Sequence, residues 1–264
     1  MKLRSILILF ISLYLASCSY CKTFIIVPGT WSIRSKWHKP DGDFFKSLQT
    51  TAHKHNAHVI SFIWPAKNKH TCREDAAKKL AELILQHEDV CIVAHSHGSN
   101  VGILASHILA RQGHKQRISS FFALATPVSP AYLPNMEVIG HFYNLFSITD
   151  IFQTGLGAFT RVYPPAERIF NIRVTINGKS PTHSKIHHPT VGSWIPLLPT
   201  ALCTDEKKSI DLTIPSLIHF HTDKAPCHEY DDEIEDLLEQ DARFQAKLAI
   251  AFHRSRHINE KEDE

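Results

Sequence analysis

The chain has 264 residues, of which 43% are hydrophobic and 21% are charged, and its formal net charge is +3 at pH 7. This length is typical of one large domain with a sizeable core, and the composition excludes a disordered chain and a polytopic membrane protein. The Lys and Arg residues are scattered among acidic ones, so no basic stripe indicates a nucleic-acid partner.

Residues 1–21 have the pattern of an export signal. Lys2 and Arg4 precede an apolar run at 6–16, and small residues end that run. The run is shorter than the roughly 20 residues that span a bilayer, which favours a signal peptide, although an uncleaved anchor stays open. Residues 15–18 also resemble a bacterial lipobox, in which Cys18 would be lipidated and become the first mature residue. We therefore expect an exported protein, either periplasmic or secreted, or tethered to a membrane as a lipoprotein.

Short apolar strands alternate with helices over residues 22–200, the predicted core. The helices are expected at 41–54, from a capping box of Thr71 and Glu74 onward, and from the residue after Ser96 to Ala110. The strand runs lack polar alternation, which is typical of strands covered on both faces. This order predicts an α/β fold with a doubly wound, mainly parallel six-stranded sheet flanked by helices. The expected strands are 24–27, 58–63, 90–94, 118–124, 141–147 and 169–176.

The pattern changes over residues 201–264. A loop-rich stretch leads to a predicted strand at 216–221 and then to a long helix from about 228 to 253. The apolar positions of this helix are spaced to dock on the core. We expect a C-terminal helical extension of the same domain.

Six cysteines fit an oxidising compartment. Cys91 lies in an apolar strand and is expected to be a buried, unreactive thiol. Cys203 and Cys227 flank a short segment and form one candidate disulfide, and Cys21 with Cys72 is a second. Spacing alone does not determine the connectivity.

A tight turn that carries Ser96 joins an apolar strand to a helix within residues 89–100. Ala94 and Gly98 are the small residues two positions before and after this serine. A nucleophile elbow requires such residues because its turn is strained and bulky side chains would clash. The turn directs the hydroxyl away from the sheet at a helix N-terminus, where the dipole favours developing negative charge. A serine in an ordinary strand–helix turn is the alternative interpretation.

With this strand, turn and helix, the chain resembles the α/β-hydrolase family, in particular its lipase-like branch with His-Ser-His-Gly elbows. The resemblance extends over about 23–198. It implies an oxyanion hole formed by two backbone amides, here those of His97 and of Thr30 after the first strand. Pro28 stands where the family usually has His, but the close-approaching Gly29 is retained. No cofactor is expected.

The resemblance also implies a triad in the order Ser, acid, His. Asp150 follows the fifth strand and is the only carboxylate between residues 137 and 167, so it is the expected acid. Segment 182–189 offers three bases, and its distance to the next helix favours His183 over His187 and His188. The many other histidines lack the compact spacing of a metal site, and none is predicted.

The predicted reaction is acyl transfer through a covalent intermediate on Ser96. The expected substrates are small-molecule or lipid esters of carboxylic acids. The apolar residues of 152–163 are expected to form an acyl pocket or a small flap, or to pack in the core. A thioesterase or acyltransferase with the same triad stays open, and so does an inactive, membrane-tethered binding protein. Because the chain has no glycine-rich phosphate-binding motif, a nucleotide-binding protein is disfavoured.

Overall fold

The central feature of the fold is a sheet of six parallel strands in the order β2-β1-β3-β4-β5-β6. The computed structural model describes residues 23–154, 161–164, 166–176, 179–199, 210–213 and 217–220. The prediction of a six-stranded sheet is confirmed, and every pairing within it is parallel. The strands are β1 (Thr23–Val27), β2 (His58–Ser61), β3 (Val90–His95), β4 (Ile118–Leu124), β5 (Ile139–Phe146) and β6 (Ile169–Arg173).

Helices cover both faces of the sheet, so the expected doubly wound arrangement is also confirmed. Among the helices of the described residues, the first and last α-helices pack against each other on one face, and the second and third pack together on the other. Short 3₁₀ turns lie at Ser32–Arg34 and Ile195–Leu197. The helices are α1 (Asp43–His53), α2 (His70–Leu85), α3 (His97–Arg111), α4 (Ile151–Thr154) and α5 (Pro189–Trp194).

The apolar runs are explained by burial on both sides of the sheet. Within β1, Phe24 belongs to the apolar cluster that contains Leu48 of α1. Its neighbour Ile25 belongs to the opposite cluster, which contains Leu80 of α2. Successive strand residues point to opposite faces, and here both faces are covered. A strand with no polar alternation is the result.

The chain reverses its winding direction at β1, which lies between β2 and β3. In open α/β sheets, ligands bind at such a switch point, beyond the carboxyl ends of the strands. The loops that follow β1 and β3 carry Thr30 and Ser96. The topology therefore brings these two residues to the same crevice.

The predicted N-cap of α2 is wrong. The helix begins at His70, and the N-cap position is occupied by Lys69 with extended backbone angles of φ −136° and ψ 140°. Thr71 and Glu74 lie inside the helix and cannot form a capping box, because an N-cap residue must have a non-helical backbone. The end of α3 lies at Arg111, one residue beyond the predicted Ala110, and Gly113 follows shortly after it with φ +81°.

Two expectations about the cysteines are wrong. Cys91 is buried in β3, as expected, but it is disulfide-bonded and not a free thiol. Cys72 is free and half-buried, so it does not pair with Cys21. Burial in an apolar strand does not oppose a disulfide, since the bridge itself is apolar. The other four cysteines, including Cys203 and Cys227, lie outside the described residues.

The C-terminal strand is present as β8 (Leu217–Phe220). It pairs antiparallel with β7 (Ile210–Thr213), a strand that the sequence analysis did not predict. The expected signal at 1–21 and the helix at 228–253 lie outside the described residues. Within the described ranges, no helix has the length and apolar character needed to span a membrane.

Candidate active site

Ser96 occupies a strained turn between β3 and α3. Its backbone has φ 53° and ψ −133°, which is a rare conformation for a residue with a Cβ atom. The Ser96 amide donates a hydrogen bond to the carbonyl of Leu124 at 2.9 Å, which ties the turn to the end of β4. A Cβ atom on Gly98 would lie 2.4 Å from the carbonyl oxygen of Val27. Only glycine therefore allows α3 to begin this close to the end of β1.

A chain of hydroxyl groups connects the loop after β4 to this turn. Thr126 Oγ1 donates a hydrogen bond to Ser99 Oγ at 2.6 Å, and Ser99 Oγ donates to the carbonyl of Ala94 at 3.1 Å. All three residues are buried. These bonds hold the first turn of α3 against the ends of β3 and β4.

Asp150 and His183 are in direct contact. His183 Nδ1 donates a hydrogen bond to Asp150 Oδ2 at 2.7 Å, and the Asp150 side chain is fully buried. The second carboxylate oxygen, Oδ1, accepts from the Phe152 amide at 2.9 Å. With Nδ1 used in this way, Nε2 of the neutral His183 ring is the atom that can accept a proton.

The loops that carry the acid and the base are joined through Ser147. Its hydroxyl donates to the carbonyl of Pro181 at 2.6 Å, and its amide donates to Gln153 Oε1 at 3.2 Å. From the other side, His95 Nε2 donates to the carbonyl of His183 at 3.0 Å. The backbone of His183 is thus held by His95, the last residue of β3.

The two alternative bases have other contacts. His187 stacks on Trp37, with ring centroids 4.6 Å apart and planes inclined by 9°. His188 is the N-cap of α5, and its Nδ1 accepts a hydrogen bond from the Thr190 amide at 3.3 Å. Of the three histidines, His183 is therefore the one whose side chain contacts Asp150.

Thr30 and His97, the expected oxyanion donors, line the same cavity as Ser96. Neither backbone amide donates a hydrogen bond to another described residue. The loop after β1 is held by its neighbours, since the Trp31 amide donates to the carbonyl of Ala66 at 2.9 Å. A Cβ atom on Gly29 would lie 2.9 Å from Ser96 Cβ, so glycine is needed for this close approach.

The cavity has a volume of about 560 Å³ and is lined by Ser96, His183 and both expected oxyanion residues. Of the apolar residues expected in an acyl pocket, Phe152 lines it and is 43% exposed. Val162 and Tyr163 are instead buried, which agrees with the alternative expectation that these residues pack in the core. Tyr163 belongs to the apolar cluster on the sheet face under α2 and α3. Residues 155–160 lie outside the described residues.

Most histidines in this cavity are neutral at pH 7. Burial lowers the pKa of His95 well below its ordinary value, and the nearby rings of His183 and His187 lower it further. Burial is also the first cause that lowers the pKa of His187 to about 4. For His97, burial and then the charges of Arg73 and His183 lower the pKa to about 4. Among the described residues, no group of three or more His, Cys, Asp or Glu side chains could hold a metal ion.

Sequence reasoning missed a second group of polar residues in the cavity: Asn68, Arg73 and Tyr132. Arg73 donates to Tyr132, which lies 59 positions away along the chain. No local motif signals such a pair. The signal that could have found this pair is Arg73 itself, an arginine in the first turn of a helix that otherwise faces the core.

The sequence matches no protein-family model, and it has no significant match among curated proteins. The strand order and the turn at Ser96 are those of the α/β-hydrolase fold. A hydrolase-superfamily protein from Xanthomonas campestris is similar over 69% of this chain and 99% of its own, with 14% identity and a TM-score of 0.41. An esterase from Rhizomucor miehei is similar over 70% and 73%, with 11% identity and a TM-score of 0.45.

A thioesterase of prodiginine biosynthesis from Streptomyces coelicolor is similar over a shorter part, 39% of this chain, with 18% identity and a TM-score of 0.29. The present chain spans only 41% of that thioesterase. At these identities the likeness concerns the fold alone.

Proposed function

We propose that the protein is a serine hydrolase that cleaves carboxylic esters through an acyl-enzyme on Ser96. The observation that carries this proposal is the arrangement of three side chains. Ser96, in its strained turn, and His183, hydrogen-bonded to the buried Asp150, line one cavity. An activated serine needs these three groups side by side: a nucleophile, a base, and an acid that orients the base.

In the first half of the reaction, Ser96 Oγ attacks the ester carbonyl and its proton passes to His183 Nε2. Asp150 stabilises the imidazolium that forms, since its carboxylate already accepts from Nδ1 at 2.7 Å. The amides of Thr30 and His97 donate to the oxyanion. The C–O bond then breaks, and His183 returns the proton to the leaving alkoxide.

In the second half, a water molecule loses a proton to His183 and attacks the acyl carbon. The ester bond to Ser96 breaks, and the proton on His183 passes to Ser96 Oγ. The free acid leaves and the enzyme returns to its starting state. A removed oxyanion donor commonly lowers kcat by about 10²–10³-fold in enzymes of this kind.

The test is covalent labelling of the purified protein by a fluorophosphonate probe. Ser96→Ala and His183→Ala should abolish or strongly reduce labelling, because one lacks the nucleophile and the other its base. His187→Ala is the matched histidine control, and it should retain labelling because His187 stacks on Trp37. A folded wild-type protein that stays unlabelled would contradict the proposal and favour a binding protein. Comparing 4-nitrophenyl butyrate with its thioester analogue separates an esterase from a thioesterase.

We also propose that the protein is exported. The disulfide at Cys91 supports this location, because disulfides persist mainly in oxidising compartments. Mass spectrometry of the protein purified from its host should find a mature chain that begins near Cys18 or later. Lipidation predicts a diacylglycerol adduct that Cys18→Ser removes, and an unprocessed N-terminus with reduced cysteines would contradict export.

A further inference from the structure

The cavity around Ser96 contains a buried cation, the guanidinium of Arg73. Arg73 lies in the first turn of α2, lines the cavity, and is only 8% exposed. Arginine is rarely buried unless it is paired or makes a specific interaction, because taking a charge out of water is costly. Its position therefore calls for an explanation.

The partners of Arg73 are neutral. Nε donates to Tyr132 Oη at 3.1 Å, and one terminal nitrogen, Nη1, donates to Asn68 Oδ1 at 3.1 Å. Within the described ranges, no carboxylate forms an ion pair with Arg73, and its other terminal nitrogen, Nη2, makes no hydrogen bond. The guanidinium is thus held in place, but its charge is not neutralised by these residues.

Tyr132 orients the guanidinium and cannot neutralise it. The Tyr132 oxygen accepts from Arg73 Nε, and it is 2.8 Å from His70 Nδ1, to which it can donate its own proton. The ring of Tyr132 also lies 5.6 Å from Arg73 Cζ. These contacts fix the direction of the planar group, which is the preorganisation that a binding site needs.

The charge of Arg73 also acts on His97, whose backbone amide is a proposed oxyanion donor. It is the second cause, after burial, of the lowered pKa of His97, the residue next to Ser96. Among the described residues, the cavity lining includes no Asp or Glu and no second Arg or Lys. The described part of the lining therefore has a single fixed positive charge, in the same cavity as Ser96.

We propose that Arg73 binds an anionic group of the ester substrate, a carboxylate or a phosphate, inside this cavity. The proposal rests on the proposed esterase function and specifies its substrate class. The free N–H groups of a guanidinium match two oxygens of either anion, which explains an arginine here in preference to a lysine. Arg73 is then a specificity-determining residue and takes no part in proton transfer.

Two pairs of esters test the proposal, each differing only in the anionic group. The first pair is 4-nitrophenyl hydrogen glutarate and 4-nitrophenyl valerate, in which a carboxylate replaces a terminal methyl of the acyl chain. The second is 1-butyrylglycerol 3-phosphate and 1-butyrylglycerol, in which a phosphate is added to the alcohol. Preference within the first pair would identify a carboxylate on the acyl part, and preference within the second a phosphate on the leaving group.

Wild-type kcat/KM should be higher for the anionic member of one pair by about 10- to 100-fold, as expected for a charge-assisted hydrogen bond. Arg73→Gln should remove that preference by lowering kcat/KM for the anionic ester much more than for the neutral ester, and Arg73→Lys should restore part of the preference. Arg111→Gln is the control for net charge, since Arg111 is exposed at the end of α3. Arg111→Gln should change kcat/KM neither for the anionic ester nor for the neutral ester.

Two results would overturn the inference while leaving the esterase function intact. One is a wild-type protein that hydrolyses the neutral esters with no preference for either anion. The other is an Arg73→Gln protein that loses the same factor on charged and neutral esters, which would indicate a structural or transition-state role. If the wild type hydrolyses no ester, the proposed function fails. Calorimetric binding of monomethyl glutarate and of glycerol 3-phosphate to Ser96→Ala, with and without Arg73→Gln, then decides whether Arg73 binds the anion.

Discussion

Replacing Ser96 by glycine should stabilise the fold relative to alanine, contrary to the usual order of these residues. The reason is the backbone of Ser96, with φ 53° and ψ −133°. A residue with a Cβ atom pays about 1–3 kcal/mol in such a sparsely populated conformation, whereas glycine adopts it freely. Both variants lack the hydroxyl, so the loss of its interactions cancels in the comparison.

The expected difference combines three effects on the free energy of unfolding. Glycine relieves about 1–3 kcal/mol of strain, but it adds about 0.4–1 kcal/mol of unfolded-chain entropy and loses a buried methyl group worth about 0.8 kcal/mol. The centre of these ranges makes Ser96→Gly more stable than Ser96→Ala by about 0.5 kcal/mol. Ala105, which is fully buried within α3, supplies the matched control. Ala105→Gly has the same entropy cost and the same loss of a methyl group, but it relieves no strain. It should lower the free energy of unfolding by about 1.5–2 kcal/mol.

The assay is urea unfolding of the wild type and of the three variants. The difference between the two alanine-to-glycine steps isolates the strain, because the other two effects are common to both positions. We expect this difference to be about 2 kcal/mol. If glycine costs as much at position 96 as at position 105, the turn stores no strain and the reasoning is refuted.

Three further predictions concern the same cavity. His97 and His187 have pKa values of about 4 in the fold, against about 6.5 unfolded, so their contribution to stability is complete above pH 6.5 and is lost as the pH falls toward 4. At pH 5 each of the two histidines should lower the free energy of unfolding by about 2 kcal/mol relative to pH 7.5. Equal urea midpoints at pH 5 and pH 7.5 would contradict this prediction. Gly98→Ala would place a Cβ atom 2.4 Å from a backbone oxygen and should lower the unfolding free energy by about 3 kcal/mol, so a wild-type melting curve would disprove the clash. Asp150→Asn should lower kcat by about 10³–10⁴-fold at unchanged melting temperature, because an amide can hold His183 in the wrong tautomer, and a loss below tenfold would exclude that role.

The sheet and the turn at Ser96 were predictable because their signals are local. An apolar run such as that of β3 needs only its own residues to indicate a strand covered on both faces. The elbow likewise depends on five consecutive positions, and the strain at Ser96 follows from them. The start of α2 was less accessible, because several polar residues near Lys69 could cap a helix and only the backbone angles decide.

The remainder of the site depends on contacts between distant segments. The sequence favoured His183 by its distance to a helix, but only the fold shows that its ring meets Asp150 while His187 meets Trp37. To predict the disulfide of Cys91, one would need to know which cysteine approaches β3. Arg73 could not be assigned to the cavity at all, since α2 reaches it only when packed against α3.

The proposed nucleophile and its base follow two strands of the sheet that differ in how deeply their residues are buried. Ser96 follows β3, which lies inside the sheet and is buried at every position, whereas His183 follows β6, where four of five residues are partly exposed. Segments with fewer buried contacts open locally at lower free energy than the core does. Heating should therefore separate two events: the loop of His183 detaches first, while the core stays folded and Ser96 stays in its turn. For an enzyme of the proposed kind, this means reversible thermal inactivation at temperatures below the melting transition, recovered in full on cooling.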